Sequence, residues 1–228
     1  MKDIYEYNNV KIEYLGHSGF VFESNGKRIA LDPFLTGAPM AAKKPEDVKV
    51  DTILITHGHS DHVGDAVEIA KNNNAVIYSN FQVAKYCSDL GAKGEGRPVG
   101  FTHKLDWGTY HTRFALHTGN LPNGEDFGMA MSIMVDLGST KIYCVGDSAL
   151  HLDFKLAGEI YQPDIVLMPM NGNANMDIDE ALIATKWLNP KKVIPIHWDM
   201  NAAEGMTPEA FKIRCEKELG IECVAMKP

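Results

Sequence analysis

Between Thr56 and His62 the chain reads Thr-His-Gly-His-Ser-Asp-His, so four side chains able to hold a metal (His57, His59, Asp61 and His62) fall within six residues. They follow the run Thr52-Ile53-Leu54-Ile55, which is short, β-branched and uncharged and reads as a buried strand. The histidines therefore sit on the loop leaving the C-terminal end of a strand, where open α/β sheets collect their ligands. Imidazoles and a carboxylate crowded together are costly to hold unless positive charge lies between them. A divalent metal supplies that charge, and it takes imidazole in the neutral form already favoured at neutral pH. A polar turn with surface histidines is the competing explanation. It suits a lone histidine better than His-x-His-x-Asp-His placed between a strand and a helix. His57 and His59 alternate and can point to one side, while Asp61 and His62 follow on the turn and can face a second ion. Two catalytic ions would lie about 3.5–4 Å apart.

Length and composition bound what surrounds this motif. The 228 residues contain no linker, low-complexity tract or short repeat. We therefore expect a single domain over residues 1–228, burying roughly three-quarters of the surface its unfolded chain exposes. A hydrophobic content of 45% is ordinary for a globular protein. The net charge of -8 argues against a nucleic-acid partner. No run reaches the length of a membrane span, and Met1-Lys2-Asp3-Ile4-Tyr5-Glu6 has no signal-peptide core, so no membrane partner and a cytoplasmic location are expected. Cys87, Cys144, Cys215 and Cys223 form no C-x-x-C pair and read as small apolar fillers.

Along the chain, Val10, Ile12 and Tyr14 alternate with polar residues in a strand that ends at Gly16-His17-Ser18-Gly19. Phe20–Phe22 and Arg28–Leu31 flank Asn25-Gly26, a type I′ hairpin dipeptide, and the second strand ends at Asp32-Pro33. Helical spacing runs from Val63 to Lys71, and Ala75–Tyr78 is a strand. Asn80 caps a helix to Leu90 that Gly91 closes, and Gly91 to Gly100 reads as loop. Strands are expected over Tyr110–His117, Met129–Asp136, Lys141–Val145, Asp164–Met170, Val193–His197 and Glu222–Met226. Helices are expected over Leu152–Tyr161 with Asp153 as cap, to Leu188 after the capping box at Asp177–Glu180, and after Thr207-Pro208 to about Gly220. Strand-rich stretches precede helices, and the pattern occurs twice. That order predicts two mixed sheets packed face to face with helices outside.

Five strands end on a ligand-capable residue: Asp32, the His57 cluster, His117, Asp147 and His197. These residues, above all His-x-His-x-Asp-His, resemble the signature of the metallo-β-lactamase superfamily, whose members are mostly metal-dependent hydrolases. The resemblance covers nearly the whole chain and implies an α/β (α+β) fold, the four-layer αββα sandwich of the metallo-β-lactamase type. It implies that His57, His59 and His117 bind one metal and that Asp61, His62 and His197 bind a second. Asp147 would bridge the two, and Asp32 would orient a liganding histidine through its free ring nitrogen.

Residue type narrows the branch. The di-iron, oxygen-reducing branch typically carries Glu at position 59, so histidine there favours hydrolysis. Asp61 in place of cysteine separates the chain from the zinc β-lactamases that use a thiolate. Gly16-His17-Ser18-Gly19-Phe20, Gly146-Asp147-Ser148 and His197-Trp198-Asp199 are similar to a branch of metal-dependent hydrolases related to L-ascorbate-6-phosphate lactonase. The resemblance implies two divalent ions, Zn²⁺ first, with Mn²⁺, Fe²⁺ and Ni²⁺ admitted by the same donors. It also implies a small-molecule ester, lactone or phosphoester substrate and a homo-oligomer. Asp61 or Asp147 could relay a proton. His17 is a candidate for binding substrate or protonating the leaving group, and His151 is a weaker one. His103 and His111 have no supporting context. A non-catalytic metal-stabilised sensor and an iron-dependent redox enzyme are the alternative classes.

Overall fold

The protein is described here by a computed structural model covering residues 3–228. Its first sheet contains β1 (Ile4–Tyr7), β2 (Val10–Gly16), β3 (Gly19–Ser24), β4 (Lys27–Leu31), β5 (Thr52–Leu54), β6 (Val76–Ser79) and β7 (Lys93–Gly96), side by side in chain order. Strands β1 to β4 pair antiparallel and β4 to β7 pair parallel. The switch follows from the connections. Asn25-Gly26, with φ of 51° and 75°, turns β3 directly back into β4. Parallel neighbours need a crossover instead: the segment 32–51 joins β4 to β5, α1 (Ser60–Val63) with α2 (Ala66–Asn73) joins β5 to β6, and α3 (Phe81–Asp89) joins β6 to β7.

The second sheet repeats the plan with β8 (Thr102–Leu105), β9 (Gly108–Phe114), β10 (Met131–Asp136), β11 (Lys141–Cys144), β12 (Ile165–Pro169), β13 (Lys192–Ile196) and β14 (Glu222–Cys223). Its antiparallel half runs from β8 to β11 and its parallel half from β11 to β14. Helices α4 (Asp153–Tyr161), α5 (Ile178–Leu188) and α6 (Pro208–Leu219) make the crossovers of the parallel half.

Strand alternation assigns each side chain to a layer. Phe20, Phe22 and Ile29 point between the sheets and meet Ile133, Ile142, Leu167 and Ile194. Val21, Ile53 and Ile77 point the other way, onto Ile69 and Val83 of the first helical layer. Tyr143, Val166 and Val193 face Phe154, Ala181 and Phe211 of the second. The result is the expected four-layer αββα sandwich, with all four cysteines buried. Among the described residues no helix is long and apolar enough to cross a membrane.

Several local expectations are corrected. The helix expected from Val63 to Lys71 is two helices, because Gly64 at φ 43° and ψ -124° breaks the turn. A Cβ there would stand 2.6 Å from the Pro33 carbonyl, so the close approach of the loop after β4 requires glycine. The expected loop from Gly91 contains β7, which has no apolar alternation to betray it; a Cβ at Gly94 would stand 2.1 Å from the Ala84 carbonyl of α3. Asp153 is not a cap, since it pairs with Arg113 while Leu152 takes the cap position without a side-chain bond. His117 lies three residues beyond the end of β9, not on it. β14 is only two residues long, and β1 and β8 had no sequence signal.

Two main-chain hydrogen bonds stitch the sheets together along one edge. Met131 N–H donates to the Thr56 carbonyl at 3.0 Å, and His197 N–H donates to the His17 carbonyl at 3.1 Å. The ends of β2, β4, β5, β11 and β13 are thereby held on one rim. Truncating the interlayer core should destabilise this scaffold: Phe22, fully buried between the sheets, should lose about 3–5 kcal/mol of unfolding free energy as Phe22→Ala in urea denaturation. A loss within about 0.5 kcal/mol, as for a surface change, would contradict the packing described.

Candidate metal centre

The loop after β5 delivers His57 and His59, and the chain beyond β9 brings His117 to them. His57 Nε2 lies 3.1 Å from His59 Nδ1, and His117 Nε2 lies 3.2 Å from the same atom. Nitrogens about 2.0–2.1 Å from a tetrahedral ion stand about 3.3 Å from one another, so the three are spaced as such an ion spaces its ligands. The hydrogen-bond inventory fixes the ring of His57. Thr56 Oγ1 has one proton, which goes to Asp32 Oδ2 at 2.6 Å. Toward His57 Nδ1, 3.0 Å away, that oxygen can only accept. His57 therefore carries its proton on Nδ1 and presents the Nε2 lone pair inward. The pocket is tight: a Cβ at Gly119 would stand 2.0 Å from His59 Nε2, and one at Gly58 would stand 2.3 Å from the Phe127 side chain.

The second group consists of Asp61 and His62 from α1 and His197 after β13. His62 donates Nδ1–H to Asp32 Oδ2 at 2.9 Å, leaving its Nε2 turned inward without a partner. His197 Nε2 is 3.5 Å from Asp61 Oδ2 and forms no hydrogen bond within the protein. Asp147, three residues beyond the end of β11, stands between the groups. Its Oδ2 is 3.1 Å from His197 Nε2 and 3.8 Å from His117 Nε2, and its Oδ1 is 3.5 Å from His62 Nε2. Three overlapping sets could each hold an ion: His57, His59 and His117; His57, His62 and Asp147; and His17, Asp61, His62 and His197.

Electrostatics agree with a site built for cations. Burial, reinforced by His62, drives the His57 pKa well below its ordinary value. Burial first, then neighbouring imidazoles, also lowers His59 and His117. These three rings thus keep free lone pairs at neutral pH. Burial opposes charge on His62 and His197 as well, yet Asp147 leads the carboxylates that overcome it, raising His62 and pushing His197 up to about 10. Burial would raise both acids too, but His17 and His197 beside Asp61, and His197 and His62 beside Asp147, hold each well below the usual carboxylate range. With no ion present, protons on imidazole supply the positive charge that the acids require. Divalent cations fit this donor set.

Every residue singled out in the sequence as a metal ligand comes to this rim, and Asp32 sits against His62. His17 is there also, but fully buried behind Asp61. His151 packs on Phe154 with ring centroids 4.0 Å apart and belongs to none of the three groups, and His103 and His111 lie on β8 and β9. Sequence reasoning missed four contributors. Asp199 meets His17 Nδ1 at 2.7 Å, Asn171 lies 3.3 Å from His197 Nδ1, and Asn175 donates to Asp147 Oδ1 at 3.3 Å. Phe127 packs edge-on against His57 and His59. The asparagines fall in Asn171-Gly172-Asn173-Ala174-Asn175 directly after β12; that strand-end position was the available signal.

Comparison with known proteins adds independent findings. The family described as "Beta-lactamase superfamily domain" matches residues 11–197. A UPF0173 metal-dependent hydrolase of Bacillus cereus (strain B4264) is 40% identical over 195 residues, covering 83% of this chain and 86% of its own. Another, from Thermus thermophilus, is 40% identical over 219 residues and 96% of both chains. Among solved structures, Igni18, described as a novel metallo hydrolase from the hyperthermophilic archaeon Ignicoccus hospitalis, superposes with a TM-score of 0.85. It is 31% identical, with 96% of this chain and 95% of that one covered.

The charge balance makes a prediction about metal uptake. A group with a folded pKa near 10 is protonated at pH 8, and a metal taking His197 Nε2 must expel that proton. Calorimetric titration of metal-free protein with Zn²⁺ in buffers of differing ionisation enthalpy should show release of about one proton or more at pH 8. The release should shrink as pH rises through about 10. Proton-neutral binding at pH 8 would contradict the electrostatics described.

Proposed function

The chain belongs to the metallo-β-lactamase superfamily, and from that premise we propose that it is a metal-dependent hydrolase using two divalent ions on a small ester, lactone or phosphoester. The observation that carries this reading is the pair of donor groups sharing one rim with Asp147 between them. In it, His57, His59 and His117 would hold the first ion and Asp61, His62 and His197 the second, with Asp147 standing between the two groups to share its charge with both. Asp32 fixes the tautomer of His62, as outer carboxylates do for metal-binding imidazoles. That the rim draws on both sheets supports reading the described residues, 3–228, as one domain.

When bound, such ions supply a water that ionises near neutral pH and polarise the substrate oxygen under attack. The chain's own residues orient and shield. Asp61, with its side chain 19% exposed, is the acid of the centre open to solvent and would orient an attacking water by accepting its hydrogen bond. Asp147, at 2%, is enclosed and serves to hold charge. Phe127 makes one wall apolar against His57 and His59, excluding water from that side. Zn²⁺ suits the imidazole-rich first group, and the carboxylates admit Mn²⁺, Fe²⁺ or Ni²⁺. The segments Gly146-Asp147-Ser148 and His197-Trp198-Asp199 support kinship with L-ascorbate-6-phosphate lactonase, which makes phosphorylated lactones the first substrates to try.

The test compares wild type and His59→Ala for bound metal and for turnover on lactones, esters and phosphodiesters. Wild type should carry two ions and hydrolyse at least one class. The variant should lose one ion and at least about 100-fold in kcat/KM, since even outer-shell changes cost 10–100-fold. Full metal occupancy with undiminished turnover in His59→Ala would overturn the assignment.

A further inference from the structure

His17 is fully buried, and each of its ring nitrogens faces a carboxylate. Nδ1 lies 2.7 Å from Asp199 Oδ1, and the Asp199 side chain is itself only 1% exposed. A carboxylate can only accept, so the neutral imidazole carries its proton on Nδ1. That leaves the Nε2 lone pair facing Asp61 Oδ2 at 3.3 Å, another acceptor. Two acceptors do not bond to each other; either a proton on Nε2 or a cation between them removes the conflict, and a cation does so without charging the buried ring. The same Asp61 oxygen is 3.5 Å from His197 Nε2, and the Nε2 atoms of His197 and His62 have no hydrogen-bond partner. One ligand atom from each of His17, Asp61, His62 and His197 falls within a 4.8 Å set.

The backbone is shaped to put this ring there. His17 adopts φ 53°, in the left-handed region that few side chains enter. Gly16 precedes it at φ 111°, where a Cβ would stand 2.5 Å from the Met40 carbonyl. The His17 carbonyl is held by the Tyr14 hydroxyl at 2.9 Å and by His197 N–H at 3.1 Å. The ring lies against His197, with centroids 4.0 Å apart. Strain of this kind persists where the surroundings over-determine it, and it gathers at functional sites. Full burial and the Asp199 contact favour a place among the donors for His17 over the contact with substrate that the sequence suggests.

We propose that His17, fixed by Asp199, is a ligand of the second ion, joining Asp61, His62 and His197. The assignment rests on the two-ion reading above. Asp199, His17 and the ion then form the carboxylate–histidine–metal arrangement that orients metal-binding imidazoles. The two ions become unequal. The first has three imidazoles and Asp147, leaving room for water and substrate; the second has four side chains besides Asp147 and is the more enclosed.

The test is titration of metal-free protein with Co²⁺, followed by visible absorption and by metal analysis. It uses wild type, His17→Ala, Asp199→Asn and, as a control on the first group, His57→Ala. Circular dichroism checks the fold of each. Wild type should bind two ions. His17→Ala should keep the first at unchanged affinity, bind the second at least about 100-fold more weakly, and show altered ligand-field bands for it. Asp199→Asn should keep those bands and weaken the second ion about 10–100-fold, the usual effect of removing such an outer partner. His57→Ala should lose the first ion and keep the bands of the second. If wild type binds two ions and His17→Ala binds both with unchanged affinity and bands, the assignment is wrong while the two-ion reading stands. If wild type binds fewer than two, both fall together. Should His17→Ala fail to fold, unchanged affinity for the second ion in Asp199→Asn overturns the assignment.

Discussion

At the edge where the two sheets meet, the Nε2 atoms of His57, His62, His117 and His197 and the Nδ1 of His59 face the oxygens of Asp61 and Asp147 across a few ångströms. Lone pairs gathered this closely, in a place largely closed to water, repel one another unless cations or protons lie between them. The opposed shifts of the titrating groups record that conflict. Three rings are driven toward neutrality by burial, two are driven toward charge by the acids, and both acids are held ionised. Divalent ions remove the conflict without protons, and the rest of the molecule can be read as the frame that keeps the donors in place.

The frame works by over-determination. Each donor stands at or just beyond a strand end or on the turn that follows, and the strands behind them are locked by an apolar layer between the sheets and one outside each sheet. The sheets are joined at the rim by main-chain bonds from Met131 to Thr56 and from His197 to His17. His17, Asp32 and His197 all take positive φ, so three side chains of the rim are aimed from a backbone region few residues occupy. Close approach does the rest: Gly58 and Gly119 leave no room for a side chain beside Phe127 and His59. Thr56 and Asp32 tie the two groups together, since one hydroxyl meets both Asp32 and His57 while Asp32 also receives His62.

What could be seen in the sequence followed how local the causes are. The cluster from His57 to His62 was visible because its spacing and the strand before it lie in one short window. The Asn25-Gly26 turn, the Asn80 cap and the Asp177 cap were visible for the same reason, and each forms as expected, though of the capping box only the bond from Glu180 N–H to Asp177 is present. His117 and His197 gained weight only through their expected strand-end positions and the resemblance, because their partners are far away in the chain. β7 and β8 went unseen since edge strands covered on one side need no apolar alternation, and Gly94 and Gly96 are there for the sake of α3. The helical break at Gly64 answers to the loop after β4, a neighbour no local window contains. Asp199 was quoted as part of a resemblance but not given its role, because only the folded chain brings it to His17.

The central claim is that these donors enclose two cations side by side. Anomalous diffraction from crystals of the metal-loaded protein, collected on both sides of the metal's absorption edge, tests it most directly. The account predicts two peaks about 3.5–4 Å apart, one beside His57, His59 and His117 and the other beside Asp61, His62 and His197, with Asp147 between. A single peak, or peaks elsewhere on the surface with this rim empty, would contradict it.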